Sequence, residues 1–284
     1  MIPILRTLYR RYIHWPFLDR CIYRVLNLLT DMYARLRDFY FPKTFIRRSK
    51  LDMLFELYEK DAVSFFKSFI RPGMSVVDIG AHIGYYTRIA SRLVGPRGRV
   101  FSFEADPENF SFLKRNTSDR LNVRIYNLAV TDRTGEIDFY HYDEKAGCHS
   151  ILSNVPLDFK KRKISVTAVH LDALAKEQKL GRLDLIKMDI EGGESAALKG
   201  MEGLLRGPSR PGLLLEFAPA WIRAAGDEPL NFLRRLESYG YELFIIKRTL
   251  IPLDTKSAAG YAAHIPRTPT HYNEFIHLFC ASRV

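Results

Sequence analysis

Short apolar runs alternate with helical patterns from residue 75 to residue 280, and that alternation constrains the fold more than anything else in the chain. Residues 75–79 (SVVDI), 99–103 (RVFSF), 122–127, 183–188 (LDLIKM), 212–217 (GLLLEF), 241–246 and 275–280 read as strands. Helical patterns occupy 85–94, 107–117, a stretch from about Glu194, and 228–239, with Asp106 placed as an N-cap. Such alternation predicts an α/β fold with a doubly wound, mostly parallel sheet. Segments 136–142 and 164–169 alternate with period two, as antiparallel strands with one wet face do. Residues 51–70 read as one amphipathic helix stopped by Arg71-Pro72-Gly73. The run Lys160-Lys161-Arg162-Lys163 reads as a solvated loop face.

Hydrophobic content of 47% and charged content of 26% exclude a disordered chain, a collagen and a coiled-coil rod. No stretch reaches the ~18 uninterrupted apolar residues of a membrane span. The net charge of +11 is uneven, because residues 1–50 carry eleven Lys/Arg against three Asp. Leu18, Cys21, Ile22, Val25, Leu28, Leu29, Met32, Tyr33, Leu36, Phe39 and Tyr40 share one helical face, preceded by a shorter basic piece at 4–13. This predicts a basic amphipathic helical arm over 1–50 and one α/β domain over 51–284. A basic, aromatic-rich arm fits an anionic membrane surface; packing its stripe on the domain is the alternative. No nucleic-acid partner is expected, since no recognition motif is visible. The start has neither an apolar core of signal-peptide length nor a cleavage site. Cys21, Cys148 and Cys280 lack metal-ligand spacing. Together these predict a cytoplasmic protein, peripheral on the inner membrane surface if the arm docks there.

Two features point to a nucleoside cofactor. Val77-Asp78-Ile79-Gly80-Ala81-His82-Ile83-Gly84 lies where a strand ends and a helix begins. Small residues at Gly80, Ala81 and Gly84 let a ligand approach the backbone at a helix N-terminus. Glu104 ends the next strand, where a carboxylate accepts both ribose hydroxyls. The central glycine of a dinucleotide fingerprint is missing, and Asp78 would repel pyrophosphate but suit the ammonium of a methionyl group. A nicotinamide-dependent oxidoreductase and a catalytically silent adenosyl-binding module stay as alternatives.

Pro72-Gly73, the 77–81 string with Gly84-Tyr85-Tyr86-Thr87, Phe103-Glu104-Ala105, Asn127-Leu128-Ala129-Val130, Val169-His170-Leu171-Asp172 before Leu174, and above all Lys187-Met188-Asp189-Ile190-Glu191-Gly192 with Glu194 form a set. In these the chain resembles the FkbM-type family of S-adenosylmethionine-dependent methyltransferases over roughly residues 51–280. His82 departs from the pattern, standing where the family usually has Asn. The resemblance implies a class I methyltransferase (Rossmann-like) fold with strand order 3-2-1-4-5-7-6, the 275–280 strand antiparallel. It implies S-adenosyl-L-methionine as cofactor, with Asp78, Gly80, Ala81, Gly84, Glu104 and Ala129 as its binding set. It also implies methyl transfer to a hydroxyl on a sugar, glycan or natural-product acceptor.

An alcohol is a poor nucleophile, so a base within hydrogen-bond reach is expected. Asp189 and Glu191 follow the fourth parallel strand at the carboxyl edge, where open sheets bind ligands. Lys187 is placed to tune Asp189. Glu216 ends another apolar strand at the same edge, and His149 sits in a loop suited to covering the site. His271 is a further candidate. Asp189, Glu191 and Glu216 offer three carboxylates to one metal ion, but no spacing demands one, and none is expected.

Overall fold

The computed structural model describes residues 16–143, 147, 149–155, 160–254, 256, 259 and 275–282, with side chains from Arg20 onward. The 4–13 piece, Cys148 and His271 lie outside the described residues. Eight strands form the main sheet: β1 (Ser75–Ile79), β2 (Arg99–Phe103), β3 (Val123–Tyr126), β7 (Leu185–Met188), β8 (Gly212–Phe217), β9 (Tyr241–Ile246), β10 (Leu250–Leu253) and β11 (Ile276–Ser282). Their spatial order is β10-β9-β11-β8-β7-β1-β2-β3. The five strands from β8 to β3 are parallel, and β11 runs antiparallel to both β8 and β9. This is the expected doubly wound order with one addition, the edge strand β10.

Side-chain alternation gives each face of the sheet its own core. Val77, Ile79, Ile186, Met188, Leu213, Leu215 and Leu278 point to one face. There they meet helices α7 (Glu194–Gly200), α8 (Glu202–Arg206) and α10 (Pro229–Ser238). Val76, Val100, Leu185, Leu214 and Phe279 point to the other. That face is covered by α2 (Arg47–Leu54), α3 (Lys60–Phe69) and α4 (Tyr85–Val94). Asp78, Lys187, Glu216 and His277 each sit two residues from a member of this second set, so period-two geometry puts them on the α4 face. The remaining helices are α5 (Pro107–Asn116), α6 (Leu171–Glu177) and α9 (Pro219–Ala224).

A second sheet, in the order β4-β6-β5, sits over the carboxyl edge of the first; it is made of β4 (Ala129–Val130), β5 (Gly135–Tyr142) and β6 (Lys161–Val169). The 160–163 run is therefore not a loop. Its last three residues open β6, paired with Tyr142, His141 and Tyr140 and still solvent-facing. Backbone pairing needs no apolar side chain, which is why the basic run gave no strand signal.

The single helix expected over 51–70 is broken. Leu57 and Tyr58 donate their N–H groups to the Asp52 carbonyl, and Glu56 and Glu59 adopt left-handed backbone angles (φ 56° and 45°). The break turns Tyr58 and Glu59 inward. At the N-terminus, α1 (Pro16–Leu36) ends before a left-handed Asp38. Phe39 then packs into the α4-face core. The Tyr40 N–H donates to Asn116 (2.7 Å). Residues 39–50 thus belong with the following domain, and the expected boundary at residue 50 cuts through packed structure. The α1 stripe is not packed: Val25, Leu28, Leu29, Met32 and Leu36 are all more than half exposed. Only Thr30 and Ala34 are buried on this helix, and Lys50 fastens it through Asp31 at 2.6 Å.

Gly80 shows what the β1 turn demands. Its φ is +77°, and a Cβ there would lie 1.8 Å from the Asp189 carbonyl oxygen. Gly73 has a similar φ of +89° but open space around it. Gly73→Ala should cost about 1–2 kcal/mol, the left-handed penalty alone. Gly80→Ala should cost at least about 2 kcal/mol more, because backbone cannot yield as a side chain does. Denaturant unfolding of the two variants measures the difference.

Candidate active site

A cavity of about 520 Å³ opens at the carboxyl edge of β1, β2, β7 and β8. That is within the usual range for small-molecule sites. The second sheet roofs it through Ala129 and Phe139, with His149 and Ile151 of the β5–β6 connection, and the N-terminal segment closes one side through Thr44, Phe45, Ile46 and Ser49.

One half is built around Glu104. Its Oε2 accepts the His82 N–H (2.7 Å) and its Oε1 accepts the Asp106 N–H (2.9 Å). These bonds fix the carboxylate at the end of β2 facing the cavity. Burial pushes its pKa up to about 8. Gly80 and Ala129 line the same half. His82 has a left-handed backbone (φ 51°), and its ring stacks on Phe45 at 5.3 Å.

Three other residues expected to touch the cofactor do not line the cavity. Asp78 is fully buried on the α4 face, where it accepts the Thr87 hydroxyl (2.6 Å) and faces Lys187 (3.9 Å). Its alternation with Val77 and Ile79 turns it under α4, away from the cavity lining. Ala81 packs within the turn, and Gly84 precedes α4 with its α-carbon against Leu113. The turn's N–H groups are also committed: Gly80 and Ala81 both donate to the Phe103 carbonyl (2.9 Å each), and His82 donates to Glu104.

The other half is a floor of carboxylates. Asp189, Glu191 and Glu216 meet there as expected, joined by Glu59. Lys187 lies 3.4 Å from Asp189. The 189–193 loop is held by Glu194, whose carboxylate accepts the Ile190 and Gly192 N–H groups (3.0 and 2.9 Å). Glu191 has a left-handed backbone (φ 49°), and Ser150 donates to its carbonyl (2.6 Å). Burial, then the neighbouring carboxylates, hold Glu191 and Glu216 well above the usual carboxylate range. Glu59 behaves oppositely. Burial works to raise it, but His277 at 3.2 Å, Lys187 and the Tyr86 hydroxyl at 2.8 Å bring it down to about 2.

His149 lines the cavity but is not a general base here. Its Nδ1 accepts the Tyr142 N–H (3.0 Å), so the lone pair a proton would need is occupied. Burial also lowers its pKa to about 4, and its ring stacks on His141 at 4.2 Å. His141 pairs with Asp106 (2.5 Å), which also caps α5. Glu59, Tyr58 and His277 were missed by sequence reasoning. Glu59 sits in what looks like continuous helix and gave no signal; His277 shares the inward period of Phe279, a signal that could have been used.

A family model described as the methyltransferase FkbM domain matches residues 78–243. Among curated relatives, 2-O-methyltransferase NoeI of Sinorhizobium fredii is 28% identical over 46% of this chain and 58% of its own length. Hexuronic acid methyltransferase AglP of Haloferax volcanii is 27% identical over 45% of this chain and 50% of its own. The chain thus spans little more than half the length of these relatives. Among solved structures, a methyltransferase FkbM from Methylobacillus flagellatus aligns with 90% of this chain and 59% of its own, at 16% identity and a TM-score of 0.46.

The Glu59 geometry has a pH signature. Its folded value lies below the ordinary 4.5, so its stabilisation is whole above pH 4.5 and is lost as pH falls toward 2. Glu59→Gln should unfold at lower urea than the parent at pH 6, with the gap shrinking between pH 4.5 and pH 2. A gap constant across that window would refute the assignment.

Proposed function

Because the chain belongs to the FkbM methyltransferase family, we propose that it moves a methyl group from S-adenosyl-L-methionine to a hydroxyl oxygen of a sugar-like acceptor. The observation that carries this reading is the pairing, in one cavity, of a fixed ribose-type carboxylate at Glu104 with the carboxylate floor at Asp189, Glu191 and Glu216. The names of the two relatives, a 2-O-methyltransferase and a hexuronic acid methyltransferase, support a sugar-like acceptor.

The residues present fit the cofactor. Glu104 keeps cavity-facing lone pairs after accepting its two N–H donors, enough to take a ribose diol. Phe103, Leu128 and Ala129 give an apolar wall for a flat base. When bound, S-adenosyl-L-methionine supplies an electrophilic methyl group on a sulfonium. The committed N–H groups of 80–82 leave no cradle for a pyrophosphate, which disfavours the nicotinamide alternative.

The floor then serves the acceptor. Carboxylates hold sugar hydroxyls as acceptors and orient the reacting oxygen. Glu191 and Glu216 flank the acceptor, and Glu191, raised above the usual carboxylate range by burial and its neighbouring carboxylates, becomes a proton acceptor as pH rises. Asp189, steadied by Lys187, orients the acceptor between them.

We infer further that the exposed stripe of α1 docks on an anionic lipid surface. Among the described residues no helix is long and apolar enough to cross a membrane. The stripe is instead flanked by exposed Arg20, Arg24, Arg35 and Arg37, the pattern of a helix lying in an interface. Ile46, 60% exposed, continues the apolar surface to the cavity wall. A lipid-linked acceptor would meet the site from that side.

Three outcomes check this. Calorimetry should show micromolar binding of S-adenosylhomocysteine, weakened at least 30-fold in Glu104→Ala; equal binding would sink the cofactor reading. With an accepted glycoside, kcat/KM should rise with pH, and Glu191→Gln should lower kcat at least 100-fold and flatten the profile. In vesicle sedimentation, Val25→Glu/Leu29→Glu should weaken binding to phosphatidylglycerol vesicles at least tenfold. Equal partitioning, or parent binding that ignores lipid charge, would remove the docking claim.

A further inference from the structure

His277 and Glu216 lie directly opposite each other on β11 and β8, on the same side of the sheet. The strained turn between α2 and α3 swings Glu59 onto them, where its Oε2 lies 3.2 Å from His277 Nε2. One donor atom from each of the three falls within 4.8 Å of the others. We propose that Glu59, Glu216 and His277 bind one divalent transition-metal ion of intermediate hardness, of the Mn²⁺ or Zn²⁺ class, on the cavity floor.

Three observations carry the proposal. The donor set is right: two carboxylates and an imidazole suit Mn²⁺ or Zn²⁺ better than Mg²⁺ or Ca²⁺. The spacing is right as well. Two donors 3.2 Å apart subtend a cis angle of about 100° at an ion held at about 2.1 Å. The third donor lies within 4.8 Å of both, so completing a face with edges near 3.2 Å needs it to close by up to about 1.6 Å. The charge is right too. Four carboxylates (Glu59, Asp189, Glu191 and Glu216) line the floor, with the Lys187 ammonium beside Asp189. Among the described residues no hydrogen bond or ion pair reaches the Glu216 carboxylate, although it ends a strand otherwise buried in leucine. A buried carboxylate in that position needs a cation or a proton.

An ion there has open positions toward the cavity. Two adjacent oxygens of a polyhydroxylated acceptor match such positions, which links the site to the acceptor half rather than to Glu104. No local pattern predicts this set, since its three members come from a loop and two strands far apart in the chain. The Asp106, His141 and His149 group offers a second set of donors within the same limit. It is a weaker candidate. Its two imidazoles are stacked nearly parallel (18°), so their in-plane lone pairs do not converge on one ion.

The test uses the full chain, stripped with a chelator, without cofactor or acceptor, so its failure leaves the methyl-transfer reading standing. Titration with MnCl₂, and separately with ZnCl₂, should give one ion per chain with micromolar affinity. Electron spin-echo spectroscopy of the Mn²⁺ form should show modulation from one imidazole nitrogen. His277→Gln should abolish that modulation and weaken binding at least tenfold, and Glu216→Gln should weaken it at least tenfold. His149→Ala should leave affinity within threefold. Circular dichroism and thermal unfolding check that each variant is folded, and the nitrogen signal of the parent stands even if Glu216→Gln is not. Binding no tighter than millimolar, absence of nitrogen modulation, or loss in His149→Ala with retention in His277→Gln would each overturn the proposal, leaving Glu59 and His277 as an ion pair only.

Discussion

The charged floor depends on one buried ammonium. Lys187 is 6% exposed and lies beside Asp78 in the parallel register of β7 and β1. Its Nζ is 3.9 Å from Asp78, 3.4 Å from Asp189 and 4.9 Å from the Tyr86 ring centre. Burial alone would strip its proton, but the charges of Asp189, Asp78 and Glu59 outweigh burial and hold it protonated. At an effective dielectric near 20, each contact of this kind is worth about 4 kcal/mol before desolvation. Removing the cation would leave Asp78 charged with no water to replace it, the costly case among buried ion pairs. Lys187 thus permits a row of carboxylates on a sheet face that is otherwise valine, leucine and phenylalanine.

Register spreads that row across the sheet. Asp78 faces Lys187, and Glu216 faces His277, with Asp189 just beyond the end of β7. All the strand members fall on the α4 face because each is two residues from an apolar position on that face. The loops after β1 and β7 then lock together. The Asp189 N–H donates to the Ile79 carbonyl (3.1 Å), and the Asp189 carbonyl occupies the space a Cβ on Gly80 would need. Gly192 is equally confined, since a Cβ there would come within 2.5 Å of Leu152. These glycines serve loop against loop, and the cavity is what remains between the interlocked turns and the roofing sheet.

This explains what could be read from the chain beforehand. Most strands of the main sheet were legible as short apolar runs, their order was what the FkbM-type resemblance implied, and only the edge strand β10 gave no signal. Glu104, Asp189, Glu191 and Glu216 were legible because each follows a strand at the carboxyl edge, a position fixed by local sequence. Asp78 was misread because its role turns on side-chain parity: proximity to the glycine turn suggested the cavity, while alternation with Val77 and Ile79 sends it under α4. His149 was read as a base by residue type, but the Tyr142 amide decides what its ring nitrogen can do. Glu59 was hidden because the 51–70 pattern keeps helical periodicity through the break. The turn at Asp52–Tyr58 is stabilised by contacts with the folded domain, which no local pattern encodes.

The same turn joins the two ends of the molecule's chemistry. Met53 and Tyr58 line the cavity, as do Thr44, Phe45 and Ile46 just before α2 and Ser49 within it. Phe55, on the outside of the turn, stacks on Tyr33 of α1 at 5.7 Å, and Glu56 pairs with Lys67 and with Arg92 of α4. Segment 44–59 is therefore a single wall: its inner surface carries Glu59 to the charged floor, and its outer surface seats the exposed amphipathic helix. A force on α1 reaches the cavity through Tyr33–Phe55 and Asp31–Lys50, over a few packed side chains, without crossing the sheet. Residues that look like a detachable arm by composition are by packing part of the cavity wall.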